Sequence, residues 1–321
     1  MPTPFTLPTD LQEAISRQLT GMPAPRSGVK ALTRTYGKGG ASTAGMDFAA
    51  YLAARLPATF AAVSACLAEV QRAIPGFSPA SLLDAGAGPG TASWAAAMAF
   101  PGLAHITMLD NNPAFLALAR TLAAHGPPSL KAADFQAGDL RSAATRADLV
   151  VAAYALAELP EAEAAATAAR LWQNAGQALL LVEPGTPRGF ARLRAARARL
   201  AGQGAVIAAP CSHALACPMA GDDWCHFSVR LARRRAHLHA KQARVPFEDE
   251  PYAYLLLTRL AAAPAAARIL SSPEDAKFER RFKLCHAGAV VPVSIATRKP
   301  NAYKQVRKLD WGERFPPDLM E

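Results

Sequence analysis

Charged residues are sparse in this chain, 19% of 321, and aromatics sparser still at 7%, while 51% are hydrophobic, much of that share alanine. That balance excludes intrinsic disorder, which needs low hydrophobicity and high net charge. Long apolar runs are missing too. The longest, Leu149 to Ala157, is closed off by Asp148 and Glu158, far short of the ~20 residues a membrane helix requires, so no membrane partner is expected. Only five residues are cysteine, an odd number without a Cys-x-x-Cys pair. The amino-terminal MPTPFTLPTDLQEAISRQL has no basic start followed by an apolar stretch, and Asp10 and Glu13 argue against an Arg-rich transit peptide. These features predict a cytoplasmic protein whose cysteines are thiols or metal ligands rather than disulfides.

The positive charge is unevenly spread. The formal charge is +10, yet residues 1–187 carry 12 Lys and Arg against 13 Asp and Glu, so the excess lies entirely in residues 188–321. Within it, residues 188–244 hold 11 basic and 2 acidic side chains, the local imbalance of a surface that meets phosphates. Nucleic acid is the partner this implies.

Along the chain, a Thr9/Gln12 pair opens a helical pattern to Leu19, residues 21–45 form a Gly/Pro/Ser/Thr-rich loop, and residues 46–74 read as two helices meeting near Pro57. Residues 1–75 are thus an N-terminal helical region. From 76 to 187, short apolar runs at Ser81–Asp84, His105–Asp110, Asp134–Gln136, Asp148–Ala153 and Ala178–Glu183 alternate with helical stretches. This rhythm predicts parallel βαβ units in a doubly wound α/β sheet. Residues 188–250 lose the rhythm and form a basic, cysteine-rich insertion. In residues 251–321, Tyr252–Thr258 and Val290–Thr297 are expected to complete the same sheet as an antiparallel pair.

Leu82-Leu83-Asp84-Ala85-Gly86-Ala87-Gly88-Pro89-Gly90-Thr91 runs from strand through a glycine loop into a helix. Gly86, Gly88 and Gly90 permit positive φ and close backbone approach, and the helix start offers N–H groups to a polar ligand. The GxGxG spacing, with Asp84 two residues ahead, departs from the dinucleotide pattern, because that acid would repel a pyrophosphate. It suits the ammonium of S-adenosylmethionine. Asp110, ending the next strand, is placed for ribose hydroxyls, and Asp139, after the third, for the adenine amino group. The stretch 76–187 resembles a class I S-adenosylmethionine-dependent methyltransferase (Rossmann-like fold). An Asn/Asp-Pro-Pro-aromatic motif is absent after strand four, where Ala152 to Glu158 stand instead, and no cysteine nucleophile lies near strands four or five. Tyr154 and Glu158 read as a core tyrosine and a helix-start glutamate, with a site role as the alternative.

Cys66 sits in an apolar helix as a small core residue. Cys211, Cys217 and Cys225, spaced by 6 and 8, and Cys285, 60 residues on, are enough thiolates for a tetrahedral zinc or a [4Fe–4S] cluster; spacing alone leaves the metal open, and His213, His226 and His286 keep a mixed zinc site in view. In the same region, positions 230, 234, 237 and 241 follow helical spacing, so that Arg230, Arg234, His237 and Lys241 are expected to line one helix face able to track an RNA backbone.

The ordered combination of Tyr51 to Pro57, Glu183-Pro184-Gly185-Thr186-Pro187, Cys217-Pro218-Met219, Asp223-Trp224-Cys225-His226-Phe227, Cys285 and Arg307-Lys308-Leu309-Asp310-Trp311-Gly312 resembles the mitochondrial small-ribosomal-subunit methyltransferase-like assembly-factor family and its bacterial relatives. The resemblance spans residues 46–314. It implies a class I methyltransferase fold, a [4Fe–4S] cluster on Cys211, Cys217, Cys225 and Cys285, and association with the small ribosomal subunit and its rRNA. It leaves two functions: an S-adenosylmethionine-dependent rRNA methyltransferase with no catalytic residue assigned, or a noncatalytic assembly factor that binds rRNA.

Overall fold

The computed structural model describes residues 5–20, 22, 47–233, 237, 238, 241 and 244–320. Helix α1 (Thr9–Leu19) begins at Pro8 without a side-chain cap, and Gln12 reaches back to the Leu7 carbonyl, so the expected Thr9 box does not form. The loop read at 21–45 lies outside the described residues except Met22. Instead of two helices meeting at Pro57, one helix, α2 (Phe48–Ala73), runs through. A π-helical turn at Tyr51–Arg55, with Leu56 N–H bonded to the Tyr51 carbonyl, widens the backbone just where Pro57 cannot donate. By length and a mean hydropathy of 1.4, α2 passes as a membrane span, but 83% of that stretch is buried in the protein, as in a core helix.

The main sheet holds β1 (Ser81–Ala85), β2 (His105–Asp110), β3 (Asp134–Ala137), β4 (Ala147–Ala153), β5 (Ala175–Pro184), β6 (Val206–Ala209), β7 (Phe227–Ala232) and β8 (Phe247–Thr258). Its order is β3-β2-β1-β4-β5-β8-β6, with β7 also paired to β8. Strands β1 to β5 are parallel, and β8 alone runs against β5, β6 and β7. Five parallel strands closed by a reversed strand between the fifth and the last make the class I methyltransferase sheet. Helices α3 (Thr91–Ala99), α4 (Pro113–Ala123), α5 (Glu161–Asn174) and α6 (Pro187–Ala201) form the crossovers. Their starts are written locally. Asn112 accepts from the N–H of Ala114 and Phe115 ahead of α4, and Thr186 from that of Gly189 ahead of α6, each with proline in the first turn.

Alternation along the strands sorts side chains into two cores. Leu82, Met108, Leu149, Val151, Leu180 and Val182 face α2, α3 and α4, while Leu83, Leu109, Val150, Leu179 and Leu181 face α5 and α6.

The C-terminal region departs from the expected division. Tyr252–Thr258 does join the main sheet, within β8, but Val290–Thr297 does not. It becomes β12 (Ala289–Ala296) of a separate antiparallel sheet with β9 (Ala267–Ile269), β10 (Glu274–Asp275), β11 (Glu279–His286) and β13 (Arg314–Phe315), joined by α7 (Pro300–Val306). The cause is local. Ala287 and Gly288, at φ 46° and 86°, form a two-residue hairpin turn that pairs β12 with β11 along its whole length. The main sheet is completed instead from within 188–250, which supplies β6 and β7. Arg268 of β9, 1% exposed, joins the two sheets: it reaches Glu69 of α2 at 2.9 Å and donates to the Pro210 and Gly312 carbonyls.

Candidate functional site

The glycine loop lies between β1 and α3 with Gly86, Gly88 and Gly90 at φ 75°, 53° and 80°. Two of the three are filled against the fold. A Cβ at Gly86 would stand 2.5 Å from Ala155 Cβ, and one at Gly90 2.9 Å from Met108 Sδ. At Gly88, itself buried, the nearest atom to an added Cβ is Tyr51 Oη of α2 at 3.7 Å, an ordinary contact. The backbone is held from β2: Gly86 and Ala87 N–H donate to the Leu109 carbonyl, and Gly88 N–H to Asp110 Oδ2 at 2.7 Å.

The sequence-selected acids stand on one rim, in different circumstances. Asp84, 1% exposed, accepts from Ser93 N–H and Oγ at 2.9 and 2.7 Å and so anchors the start of α3. Burial pushes it up to about 6 against those hydrogen bonds. Asp110 accepts from Gly88 and Asn112 N–H, one on each oxygen, and burial raises it as well. Gly138 N–H donates to the Asp110 carbonyl, which keeps Asp139 beside β2. Asp139 caps the turn at Leu140–Ser142 and is paired with Arg141 at 2.6 Å; Arg141's hydrogen bonds lower it.

Glu158 is exposed; desolvation by the protein around it, and then the charge of Asp110, push it up to about 7. Tyr154, at the end of β4 with φ 60°, is buried. Its hydroxyl donates to Glu250 at 3.2 Å, and Arg55 lies 4.4 Å over its ring while pairing with Glu250 at 2.7 Å. Tyr154 is a core residue. Glu183, which the sequence marked as a strand end and part of the Glu183–Pro187 segment but not as a site residue, is fully buried at the end of β5 and pushed up to about 8 by burial, partly offset by Arg192 of α6.

A second site gathers the cysteines. Cys211, Cys217 and Cys225 lie on the irregular segment between β6 and β7, Cys285 lies on β11, and all four line one cavity of about 40 Å³. They are free thiols. Arg197 of α6 donates to Cys211 Sγ at 3.2 Å and to the His213 and Leu215 carbonyls; Ser212 Oγ donates to the Cys285 carbonyl, and His213 Nε2 is 3.5 Å from Cys285 Sγ. Burial, then the charges of Cys211 and Cys217, push Cys285 up to about 11; burial likewise raises Cys211 and Cys225. Among the described residues, no three His, Cys, Asp or Glu side chains close on a single point as they would around one ion. Cys66 is a buried core residue of α2, as its apolar surroundings implied.

The basic stripe is corrected. Residues 227–232 are strand β7, paired with β8, which takes Arg230 off the expected helix face, whereas His237 and Lys241, four residues apart, are both helical. Arg230 pairs with Asp249 at 2.7 Å and stacks on Phe247; His237 and Lys241 converge on Glu248; Arg234 lies outside the described residues. Burial alone would raise Glu248, but hydrogen bonds from His237 and Lys241 bring it down to about 2. Part of the 188–244 charge is therefore internal, Arg192 and Arg197 being 2% and 5% exposed.

A sequence profile described as mitochondrial small ribosomal subunit Rsm22 matches residues 45–316. The chain belongs to the Rsm22 family. The Rsm22 match takes in the glycine loop, the four clustered cysteines and nearly all of the second sheet. The human ribosome assembly protein METTL17, mitochondrial, is 34% identical over 193 residues, covering 56% of this Rsm22-family chain but only 42% of the human protein. Among solved structures, magnesium protoporphyrin IX methyltransferase from Synechocystis with bound SAM is 18% identical, covering 80% of this chain and all of that one, at a TM-score of 0.43. A putative RNA methyltransferase from Pyrococcus horikoshii is 12% identical, covering 79% and 98%, at 0.39. At such values the sheet order, not the superposition, assigns the fold.

Proposed function

We propose that this Rsm22-family chain acts on the small ribosomal subunit during its assembly, binding rRNA with a methyltransferase fold that takes up S-adenosylmethionine and holds a [4Fe–4S] cluster. The observation that carries this reading is the convergence of Cys211, Cys217, Cys225 and Cys285 on one buried cavity in a chain of a ribosomal family.

The cysteines fit a cluster. Sulfurs set around a cavity suit a polynuclear centre. Arg197, donating to Cys211, supplies the positive charge that metal-bound thiolates attract, and His213 Nε2, 3.5 Å from Cys285 Sγ, adds a polar atom at the wall. When bound, the cluster would supply metal–thiolate links between the 210–226 segment and β11.

What supports S-adenosylmethionine at the glycine loop is the room for a side chain at Gly88, the carboxylate of Asp110 bonded to that glycine's N–H, and Glu158 close to Asp110. When bound, the cofactor would supply an electrophilic methyl group. Asp110 positions the loop through Gly88 N–H, Asp84 fixes α3 through Ser93, and Asp139 remains at the rim for the base. A second reading, assembly without methyl transfer, is favoured by Tyr154, whose hydroxyl is turned into the core toward Glu250 and away from any substrate.

Methyl groups on small-subunit rRNA should be mapped in cells with the protein, without it, and with Gly88→Arg, which puts a long side chain into the loop. A mark lost without the protein and not restored by Gly88→Arg supports transfer. Unchanged methylation with defective small subunits supports the second reading. Normal subunits and normal methylation without the protein would remove the function altogether.

A further inference from the structure

With Arg230, His237 and Lys241 spent on internal carboxylates, the basic excess of the C-terminal part must meet its partner elsewhere. Residues 277–308 contain nine Lys and Arg and a single acid, Glu279. Three of the nine are paired: Arg280 with Asp275, Arg281 with Glu279, and Lys283 with Asp223. Lys277, Arg298, Lys299, Lys304, Arg307 and Lys308 are all exposed and make no ion pair among the described residues.

These six share one end of the second sheet. Thr297 donates to the Phe278 carbonyl from both its N–H, at 2.8 Å, and its hydroxyl, at 3.1 Å, which sets Arg298 and Lys299 beside Lys277 and Phe278. Arg280 donates to the Arg307 and Leu309 carbonyls and so draws the end of α7, with its cations, against the start of β11. Beside Lys277 stands Phe278. It is 68% exposed, with Lys277 Nζ 5.1 Å from its ring centre. Its backbone is held on both sides, by Thr297 and by the Ala276 N–H bond to the Glu279 carbonyl, so the ring is presented from a fixed turn. A lone exposed aromatic needs no explanation. One held from both sides beside Lys277, Arg298 and Lys299 combines a stacking platform with a phosphate-attracting field.

We infer that this end of the second sheet is a single-stranded RNA contact, with Phe278 stacking on an unpaired base and Lys277, Arg298, Lys299 and the α7 cations holding the flanking phosphates. The inference rests on rRNA being the partner and names the surface that meets it. RNA is favoured because it offers repeated anionic charge and exposed π-faces together. An anionic membrane would match the charge, but a single ring with polar neighbours offers little to insert, and an acidic protein would have no use for a stacking face.

The test is fluorescence anisotropy with the full chain purified anaerobically, using labelled single-stranded and duplex 12-nucleotide RNAs over a salt series. The same variants are followed on gradients of small ribosomal subunits, with thermal melts confirming the fold. Phe278→Ala should weaken single-strand binding about tenfold or more while leaving duplex binding and the salt slope unchanged; Phe278→Trp should retain affinity. Lys277→Gln, Arg298→Gln and Lys299→Gln together should flatten the log–log salt slope by about two. Arg230→Gln should do neither. Wild-type affinity in Phe278→Ala, an unchanged slope in the triple variant, or tighter binding of phosphatidylserine vesicles than of RNA would overturn the surface. If those variants still sediment with small subunits as the wild type does, only this surface fails. If the wild-type chain does not sediment with them, the underlying reading fails as well.

Discussion

Substituting alanine at Gly86 and at Gly88 separates what the glycine loop needs for folding from what it needs for a ligand. Both positions have positive φ, which costs an L-residue about 1–2 kcal/mol. Alanine's smaller unfolded-state entropy returns about 0.4–1 kcal/mol of that. At Gly88 nothing else opposes the new methyl, since Tyr51 Oη is 3.7 Å away, so the net loss is about 1 kcal/mol. At Gly86 the methyl would lie 2.5 Å from Ala155 Cβ, with Ala155 Cα at 3.7 Å behind it. That contact must be relieved by backbone, and overpacking of this kind adds about 1–3 kcal/mol. Gly86→Ala should therefore lose about 2–4 kcal/mol and Gly88→Ala about 1, read by denaturant titration and by melting, where each kcal/mol moves the midpoint by about 2 °C in a chain of this size. S-adenosylmethionine affinity, read by calorimetry on the folded fraction, should follow the reverse order and fall more in Gly88→Ala. Equal destabilisation by the two substitutions, or a larger loss at Gly88, would refute the geometry on which the cofactor reading stands.

The buried Glu183, whose carboxyl sits at about 8, binds its proton more tightly folded than unfolded. Stability should decline as pH rises from about 4.3, its unfolded value, to about 8, by roughly 5 kcal/mol at most, and Glu183→Gln should flatten that decline; an unchanged stability–pH profile in the variant would contradict it. Removing Arg268 leaves Glu69 buried with weaker partners, so Arg268→Met should cost about 3 kcal/mol and Glu69→Gln on top of it should recover much of the loss; additive losses in the double variant would count against the pin. Anaerobically purified protein should contain about four iron and four sulfide per chain, and Cys285→Ser should lose most of both while the main sheet stays folded; stoichiometric zinc without sulfide would exclude the cluster.

The main sheet was legible because each of its parallel strands is a short apolar run closed by a turn, and because Asn112-Pro113 and Thr186-Pro187 mark helix starts on their own. Grouping the four cysteines was within reach for the same reason: thiols are few enough that their positions stand out. Two errors came from reading one dimension as three. Period-four spacing at 230, 234, 237 and 241 looks like a single helix face, but residues 227–232 find a longer partner in β8 and extend, so Arg230 leaves that face while His237 and Lys241 are helical. Val290–Thr297 has the composition of a sheet-completing strand, yet the Ala287-Gly288 turn pairs it with β11 before any distant partner can compete. Arginine count on α6 could not tell Arg192 and Arg197, which face buried groups, from arginines that meet phosphate, since only the fold says which side faces Glu183 and Cys211.

Ultraviolet crosslinking of the protein to RNA in growing cells, with the crosslinked positions mapped, bears most directly on the proposed function. Crosslinks concentrated on small-subunit rRNA, strongest in particles still being assembled, are the expected result. Crosslinks absent from small-subunit rRNA, while the same protein carries its metal and binds S-adenosylmethionine, would contradict it.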